Sequence, residues 1–128
     1  MEHRYEQYGH KRLAVGSRYG TMDFIAQRTT AIILAVYSIL FLLAVIFTKI
    51  DYDSWTNLFT FTWFGGFPTG KISTTLAFLA LAYHAWVGVR DIWMDYVTCA
   101  TLRLSLQVLT VMWLVSSVVY FASVLWSL

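Results

Sequence analysis

Four side chains in this 128-residue sequence could do chemistry within or beside a membrane: His84, Asp95, Tyr96 and Arg28. His84 lies in the middle of an apolar run, about 18 to 20 Å by helical rise from both Lys71 and Tyr96. An ionisable group at that depth is costly to keep in lipid, so it usually faces a protein interior. A neutral imidazole there could be an axial ligand of haem iron, with its other ring nitrogen oriented by a carbonyl one turn earlier, or a hydrogen-bonding contact between helices.

Asp95 and Tyr96 lie three helical turns beyond His84. The separation of 11 residues returns Asp95 to nearly the same helix face, about 16 Å closer to the membrane boundary. A phenol there could donate a hydrogen bond to the carbonyl of a lipid-soluble carrier, while the carboxylate orients the carrier or passes protons. The alternative is an interfacial tyrosine that anchors the helix beside a solvated aspartate.

Small residues share the helix face of His84, notably Ala77, Ala80 and Gly88. They would allow a neighbouring helix to pack closely, and they would equally leave room for a flat macrocycle. Farther along the same helix, Arg90 and Asp91 are adjacent and so point in different directions, and solvation at the membrane surface would account for both.

Arg28 lies about one turn into the first helix, where a guanidinium facing lipid would be expensive. It could extend to the headgroups. Alternatively it could face inward, where it would pair with haem propionates or stabilise negative charge on a reduced carrier.

The composition indicates that lipid surrounds most of the chain. Hydrophobic residues make up 59% of the sequence and charged residues only 12%, which is far from the balance of soluble domains. Cys99 is the only cysteine, so the chain can form no internal disulfide and cannot hold an iron–sulfur cluster by itself.

Three apolar runs predict an all-α membrane protein with spans at about 25–48, 72–97 and 103–127. The first helix is expected to start near Thr21 or Asp23, where either side chain could cap free amides. Residues 1–22 form an amino-terminal segment and residues 23–128 the membrane domain. Between the first two spans, residues 51–71 predict an aromatic segment at the membrane interface, interrupted by glycines and by Pro68.

The distribution of basic residues predicts the orientation, because Lys and Arg accumulate in cytoplasmic segments. Most of them place the amino terminus and the second loop in the cytoplasm, and the first loop and the carboxyl terminus in the periplasm. Five precede residue 30, where the uncharged run of the first span begins, two flank the second loop and two lie in the first loop: Arg4, Lys11, Arg12, Arg18 and Arg28, then Arg90 and Arg103, then Lys49 and Lys71.

Three stretches of sequence resemble one known family. "HAWVG" followed by six residues and "DY" (His84 to Tyr96) is similar to the second helix of the hydrophobic membrane anchor subunit of bacterial succinate dehydrogenase. "QRTTAI" from Gln27 and "LRLSLQ" from Leu102 resemble the starts of that family's first and third helices. The resemblance covers roughly residues 23–128, and it assigns nothing to residues 1–20 or to the "FTWFGGFPTG" loop.

The resemblance implies a place in an inner-membrane complex. In this family the anchor packs with a second three-helix subunit, cytochrome b, and one haem b lies between them with one histidine from each. His84 matches the ligand position, Tyr96 with Asp95 matches part of the ubiquinone pocket near the iron–sulfur subunit, and Arg28 matches a position close to the propionates and that pocket. The resemblance also implies a flavoprotein subunit, which oxidises succinate in this family.

The chain itself carries no Gly-rich nucleotide motif and no cysteine cluster, so it is not the dehydrogenase. Two alternatives remain at this point. One is a fumarate reductase anchor, which would share the architecture. The other is a non-redox membrane protein, such as an assembly factor or half of a transporter, in which His84 and Asp95 would serve a proton path or helix packing.

Overall fold

The structure is a computed structural model that describes residues 17–63 and 65–128. Within these residues the chain forms four helices. They are α1 (Ser17–Phe47), α2 (Tyr52–Thr60), α3 (Thr69–Tyr96) and α4 (Ala100–Ser127). Three segments of 28 residues, Gly20–Phe47, Thr69–Tyr96 and Ala100–Ser127, are long and apolar enough to cross a membrane. Each is about 42 Å long, against about 30 Å for a bilayer's hydrocarbon core. The predicted all-α fold with three membrane spans is confirmed.

α3 is the central helix, because it packs against both α1 and α4. Small side chains make this possible: Ala77 and Ala80 are buried, which supports the interpretation that they allow close helix packing. α1, in contrast, contains no buried residue from Gly20 onward, so its outer surface is left for lipid or another chain. The six buried residues of the described chain are Gly70, Thr74, Ala77, Ala80, Val87 and Leu125.

Ring stacking and a hydrogen bond are among the side-chain contacts that join α3 to α4. The rings of Phe78 and Phe121 stack with their centroids 3.9 Å apart and their planes 5° from parallel. Nearer the end of α3, the indole N–H of Trp93 donates a hydrogen bond of 3.2 Å to the hydroxyl of Thr110. The indole nitrogen would otherwise be an unsatisfied donor in an apolar environment, so this bond favours the observed pairing of the two helices.

The segment between α1 and α3 contains a helix that the sequence did not predict. α2 begins after Asp51 and is only nine residues long. It is followed by a tight turn in which the backbones of Trp63 and Phe67 exchange two hydrogen bonds of 3.1 Å. Gly65 and Gly66 adopt φ values of 74° and 96° within this turn, a conformation that other residues rarely adopt.

Gly70 allows the start of α3 to touch the end of α2. Its N–H donates a hydrogen bond of 2.8 Å to the carbonyl of Phe61. A β-carbon at Gly70 would lie 2.7 Å from the carbonyl oxygen of Phe59, which is a backbone atom and cannot rotate away. The close contact between α2 and α3 therefore requires glycine at this position.

The predicted start of the first helix near Thr21 or Asp23 is wrong, because α1 is already helical at Ser17. Asp23 therefore lies inside the helix, and its carboxylate accepts a hydrogen bond from Arg90 of α3 instead of capping amides. A capping pattern is purely local, and it cannot reveal that a distant residue competes for the same carboxylate. Predictions about residues 1–16 fall outside the described part of the chain.

Candidate functional site

Three polar contacts link α1 to α3 along the length of their interface. The members on α1 are seven residues apart, so they lie on one helix face, two turns or about 10.5 Å from each other. α3 runs antiparallel to α1, so the residues of α3 that contact these three positions follow one another in the reverse sequence order. We call this set the polar ladder; its pairs are Asp23 with Arg90 at 2.6 Å, Thr30 with His84 at 3.1 Å, and Tyr37 with Thr74 at 2.9 Å.

The middle pair of the ladder orients the His84 imidazole. The Thr30 hydroxyl is 2.9 Å from the carbonyl of Ala26 and 3.0 Å from that of Gln27, and its oxygen is 3.1 Å from Nδ1 of His84. A hydroxyl has one proton, which either carbonyl can accept, so the oxygen is free to accept Nδ1–H. This arrangement leaves the lone pair of a neutral imidazole on Nε2. The expected backbone carbonyl partner is thus replaced by a hydroxyl from another helix.

Nε2 of His84 suits an axial ligand of haem iron. It makes no hydrogen bond to any residue that the structure describes, and the His84 side chain is only partly buried. Gly88, one turn farther along α3, lies beside open space, since a β-carbon there would meet no atom within 4 Å. The donor atom and the adjacent space therefore fit a planar macrocycle held from one side by this chain.

From the sequence, solvation at the membrane surface was expected to account for Arg90 and Asp91. The ion pair in the polar ladder shows that Arg90 is held by carboxylates instead. The Arg90 guanidinium is 2.6 Å from Asp23 and 3.3 Å from Asp91, so it contacts both carboxylates. The side chains of Arg90 and Asp23 are 27% and 34% exposed. A partly desolvated pair of this kind is destabilised strongly when one partner is removed, because the other charge is left without compensation.

We expect Asp23→Asn to destabilise the packing of α1 on α3 by roughly 1 to 3 kcal/mol, between the values for exposed and buried ion pairs. The thermal midpoint of the purified complex in detergent would measure this loss. Asp91→Asn is the matched control: its bond to Arg90 is longer and its side chain is 53% exposed, so the loss should be smaller. Equal losses would contradict a special role for Asp23.

Asp95 and Tyr96 lie at the end of α3 and face outward. Tyr96 is 81% exposed and Asp95 is also exposed. Neither side chain makes a hydrogen bond or ion pair to another residue in the described ranges. By helical rise Tyr96 is about 18 Å from His84, so the two predicted site levels are separate within this chain.

Arg28 is not brought close to His84. Its guanidinium lies over the ring of Phe24, 5.2 Å from the centroid, and the residue is exposed. At about 100° per residue, it is roughly 160° around α1 from Thr30, the contact of His84. Arg28 thus points away from α3, toward lipid or a neighbouring chain.

Thr30, Asp23 and Arg90 were not identified from the sequence as site residues. The seven-residue spacing of Asp23, Thr30 and Tyr37 is a signal that could have indicated one polar helix face. A threonine within a span ordinarily satisfies its hydroxyl on its own helix. Thr30 does so as well, which is why its second role becomes visible only when α3 is in place.

The chain has three apolar helices, and the histidine of the central helix is hydrogen-bonded to a threonine hydroxyl. These features are those of a small multi-pass membrane protein. Residues 4–123 match the family described as succinate dehydrogenase/fumarate reductase transmembrane subunit. The chain is also 35% identical, over 113 residues, to the succinate dehydrogenase hydrophobic membrane anchor subunit of Coxiella burnetii (strain RSA 493 / Nine Mile phase I). That alignment covers 86% of this chain and 91% of the relative.

The chain belongs to the succinate dehydrogenase/fumarate reductase transmembrane subunit family. The resemblance to its hydrophobic membrane anchor subunits is confirmed, as is the assignment to a multi-pass protein of a bacterial inner membrane. It is a membrane anchor subunit, and its relative is a subunit of an enzyme complex, succinate dehydrogenase.

Proposed function

We propose that this anchor subunit supplies one axial histidine, His84, to a b-type haem and part of a ubiquinone-reduction site. The observation that carries the proposal is the Thr30–His84 bond, which leaves Nε2 available at mid-membrane. A bound haem would supply one-electron redox chemistry. The chain's own contribution is to hold the imidazole in one tautomer and to leave space beside Gly88.

The proposed haem needs a second ligand from a partner. No other histidine is present in a span; His3 and His10 precede the described residues. A second three-helix cytochrome b subunit would supply the other ligand and cover exposed faces of this chain. An iron–sulfur subunit and a flavoprotein complete the proposed complex, because this chain's single cysteine cannot hold a cluster.

Isolation of the tagged native complex in mild detergent tests the assignment. We expect a flavoprotein, an iron–sulfur protein and a second three-helix subunit to co-purify. The reduced-minus-oxidised absorption spectrum of the same sample should show a b-type haem. The correct partners without that signal would overturn the role of His84, and neither partners nor signal would favour the non-redox alternative.

We expect Thr30→Val to weaken haem retention about 10- to 100-fold, the range found when a group that orients a metal ligand is removed. Valine is close to threonine in shape, but it leaves Nδ1–H without an acceptor. Haem per isolated complex would be measured by absorbance after dilution into detergent. Thr30→Ser should restore retention, and Thr29→Val, at the exposed neighbouring position, should leave it normal. A normal Thr30→Val would show that packing alone holds the imidazole.

The proposed quinone site lies at the end of α3, where Tyr96 would donate its phenol hydrogen to a quinone carbonyl. Asp95 would orient this contact or pass protons. Support comes from exposure, since both side chains are exposed, make no hydrogen bond or ion pair within the described chain, and can face a carrier at the subunit boundary. With the predicted orientation, this end of the helix faces the cytoplasm.

Arg28 is proposed to contact a haem propionate or the reduced quinone across the subunit boundary. Its exposed guanidinium, directed away from α3, supports a contact with another chain's site and excludes one with His84 of this chain. Arg28→Leu should therefore lower haem retention or quinone turnover in the complex. If both stay normal, the guanidinium serves only to reach the lipid headgroups.

A further inference from the structure

A cleft of about 740 Å³ opens at the end of the bundle where α2 lies between α1 and α3. We call it the loop-end cleft; α1 contributes Leu40, Phe41 and Ala44 to it, and α2 contributes Asn57 and Leu58. Of the site residues discussed above only Tyr37, the last member of the polar ladder on α1, lines it; His84, Asp95, Tyr96 and Arg28 do not. It therefore calls for an explanation separate from the proposed function.

The position of the cleft follows from the polar ladder. Ala44 is the next residue on α1 at the seven-residue spacing that places Asp23, Thr30 and Tyr37 against α3. At this level α3 has only begun, at Thr69, so no side chain of a long helix fills the space opposite Ala44. α2 covers only part of the gap, since it is nine residues long.

The lining has the layered polarity of an amphiphile. Thr48, Asn57 and Thr69 provide uncharged hydrogen-bonding groups close to the helix ends. Leu40 lies about 12 Å deeper than Thr48 by helical rise, with Phe41 and Ala44 between them. The hydroxyls of Tyr37 and Ser73 also line the cleft, but they are already hydrogen-bonded, to Thr74 and to the carbonyl of Gly70. Among the residues that the structure describes, the lining contains no Lys, Arg, Asp or Glu.

We propose that the loop-end cleft binds one membrane phospholipid, with an acyl chain along α1 and the glycerol-ester region among the hydroxyl and amide groups. The volume is in the range of small-molecule sites, whereas a helix from another chain would need a groove for a cylinder about 10 Å wide. Because no cation among the described residues lines the cleft, the phosphate headgroup remains outside it. The cleft opens on a helix that crosses the membrane, so lipid is the solvent that reaches it.

Photolabelling of the delipidated native complex tests this proposal. The probe is a phosphatidylcholine with a photoreactive group in its acyl chain, and the adducts are mapped by peptide mass spectrometry. We expect labelling to concentrate on Ala44 or Leu58, which are partly buried, rather than on Ile39, which is exposed on the outside of α1. Excess unlabelled phosphatidylcholine should remove this labelling.

Ala44→Trp fills the cleft and should abolish its labelling, while Ala35→Trp, on an exposed part of α1, should leave it intact. Leu58→Trp blocks the cleft from α2 and provides a second variant if Ala44→Trp fails to assemble. Uniform labelling of cleft and outer surface would overturn the proposal, as would adducts displaced by a short-chain quinone but not by lipid. Haem absorbance and partner co-purification report on the proposed function separately, so the two proposals can fail independently.

Discussion

His84→Ala should abolish the b-type haem signal of the isolated complex. The imidazole Nε2 is the atom proposed to bind the haem iron, and alanine removes both this atom and the ring that Thr30 contacts. A haem held between two subunits by one ligand from each would lose half of its axial bonding, and small alkyl side chains cannot replace it. The reduced-minus-oxidised spectrum, normalised to the amount of this chain, measures the loss.

The control for this experiment is His10→Ala, which makes the same chemical change outside the membrane domain and should leave the spectrum unchanged. Co-purification of the partner chains should be followed in both variants, because a complex that assembles without haem separates ligation from assembly. An unaltered haem spectrum in assembled His84→Ala would assign the histidine to helix packing through Thr30 alone.

The second large effect is expected for Tyr96→Phe, which should remove most quinone reductase activity of the assembled complex. Phenylalanine retains the ring but not the hydrogen-bond donor, and positioned proton donors of this kind typically contribute about 10²- to 10⁴-fold to a rate. Succinate oxidation with a soluble dye as electron acceptor should stay normal, because that assay bypasses the quinone. The ratio of the two activities is therefore the quantity to measure.

Tyr120→Phe is a matched control, since Tyr120 is another strongly exposed tyrosine on a membrane helix, but it lies in α4. It should leave both activities unchanged. If Tyr96→Phe behaves like this control, Tyr96 is an interfacial anchor and the quinone site must be built from other residues.

The three spans could be predicted because they depend on composition and length. A bilayer requires about 20 consecutive apolar residues, and the predicted limits differ from the observed segments by only a few residues. The short helix α2, in contrast, could not be predicted from length and hydropathy. It is nine residues long and rich in aromatic side chains at a membrane boundary, where neither length nor hydropathy distinguishes a short helix from a loop.

The candidate site was predictable where one helix determines it. His84 could be located from its depth, and its relation to Asp95 from helical periodicity. What the sequence did not reveal are the contacts between helices, such as the bond from Thr30 and the ion pair of Asp23 with Arg90. These depend on the register of α1 against α3, a tertiary property that local patterns do not specify. The roles of Tyr96 and Arg28 remain predictions, since a site shared between subunits leaves its residues exposed in each of them.

The polar ladder fixes the register of α1 against α3 at the level of His84. Sliding α1 past α3 by one turn would separate all three pairs by about 5.4 Å at once. The neighbouring register, seven residues away, would carry the Asp23 carboxylate to the level of His84, deep in hydrocarbon, where an ionised group is costly. The observed register is the one that brings all three pairs together. In a thinner or thicker membrane the pair should tilt as a unit, and the imidazole should keep both its partner and its distance from each helix end.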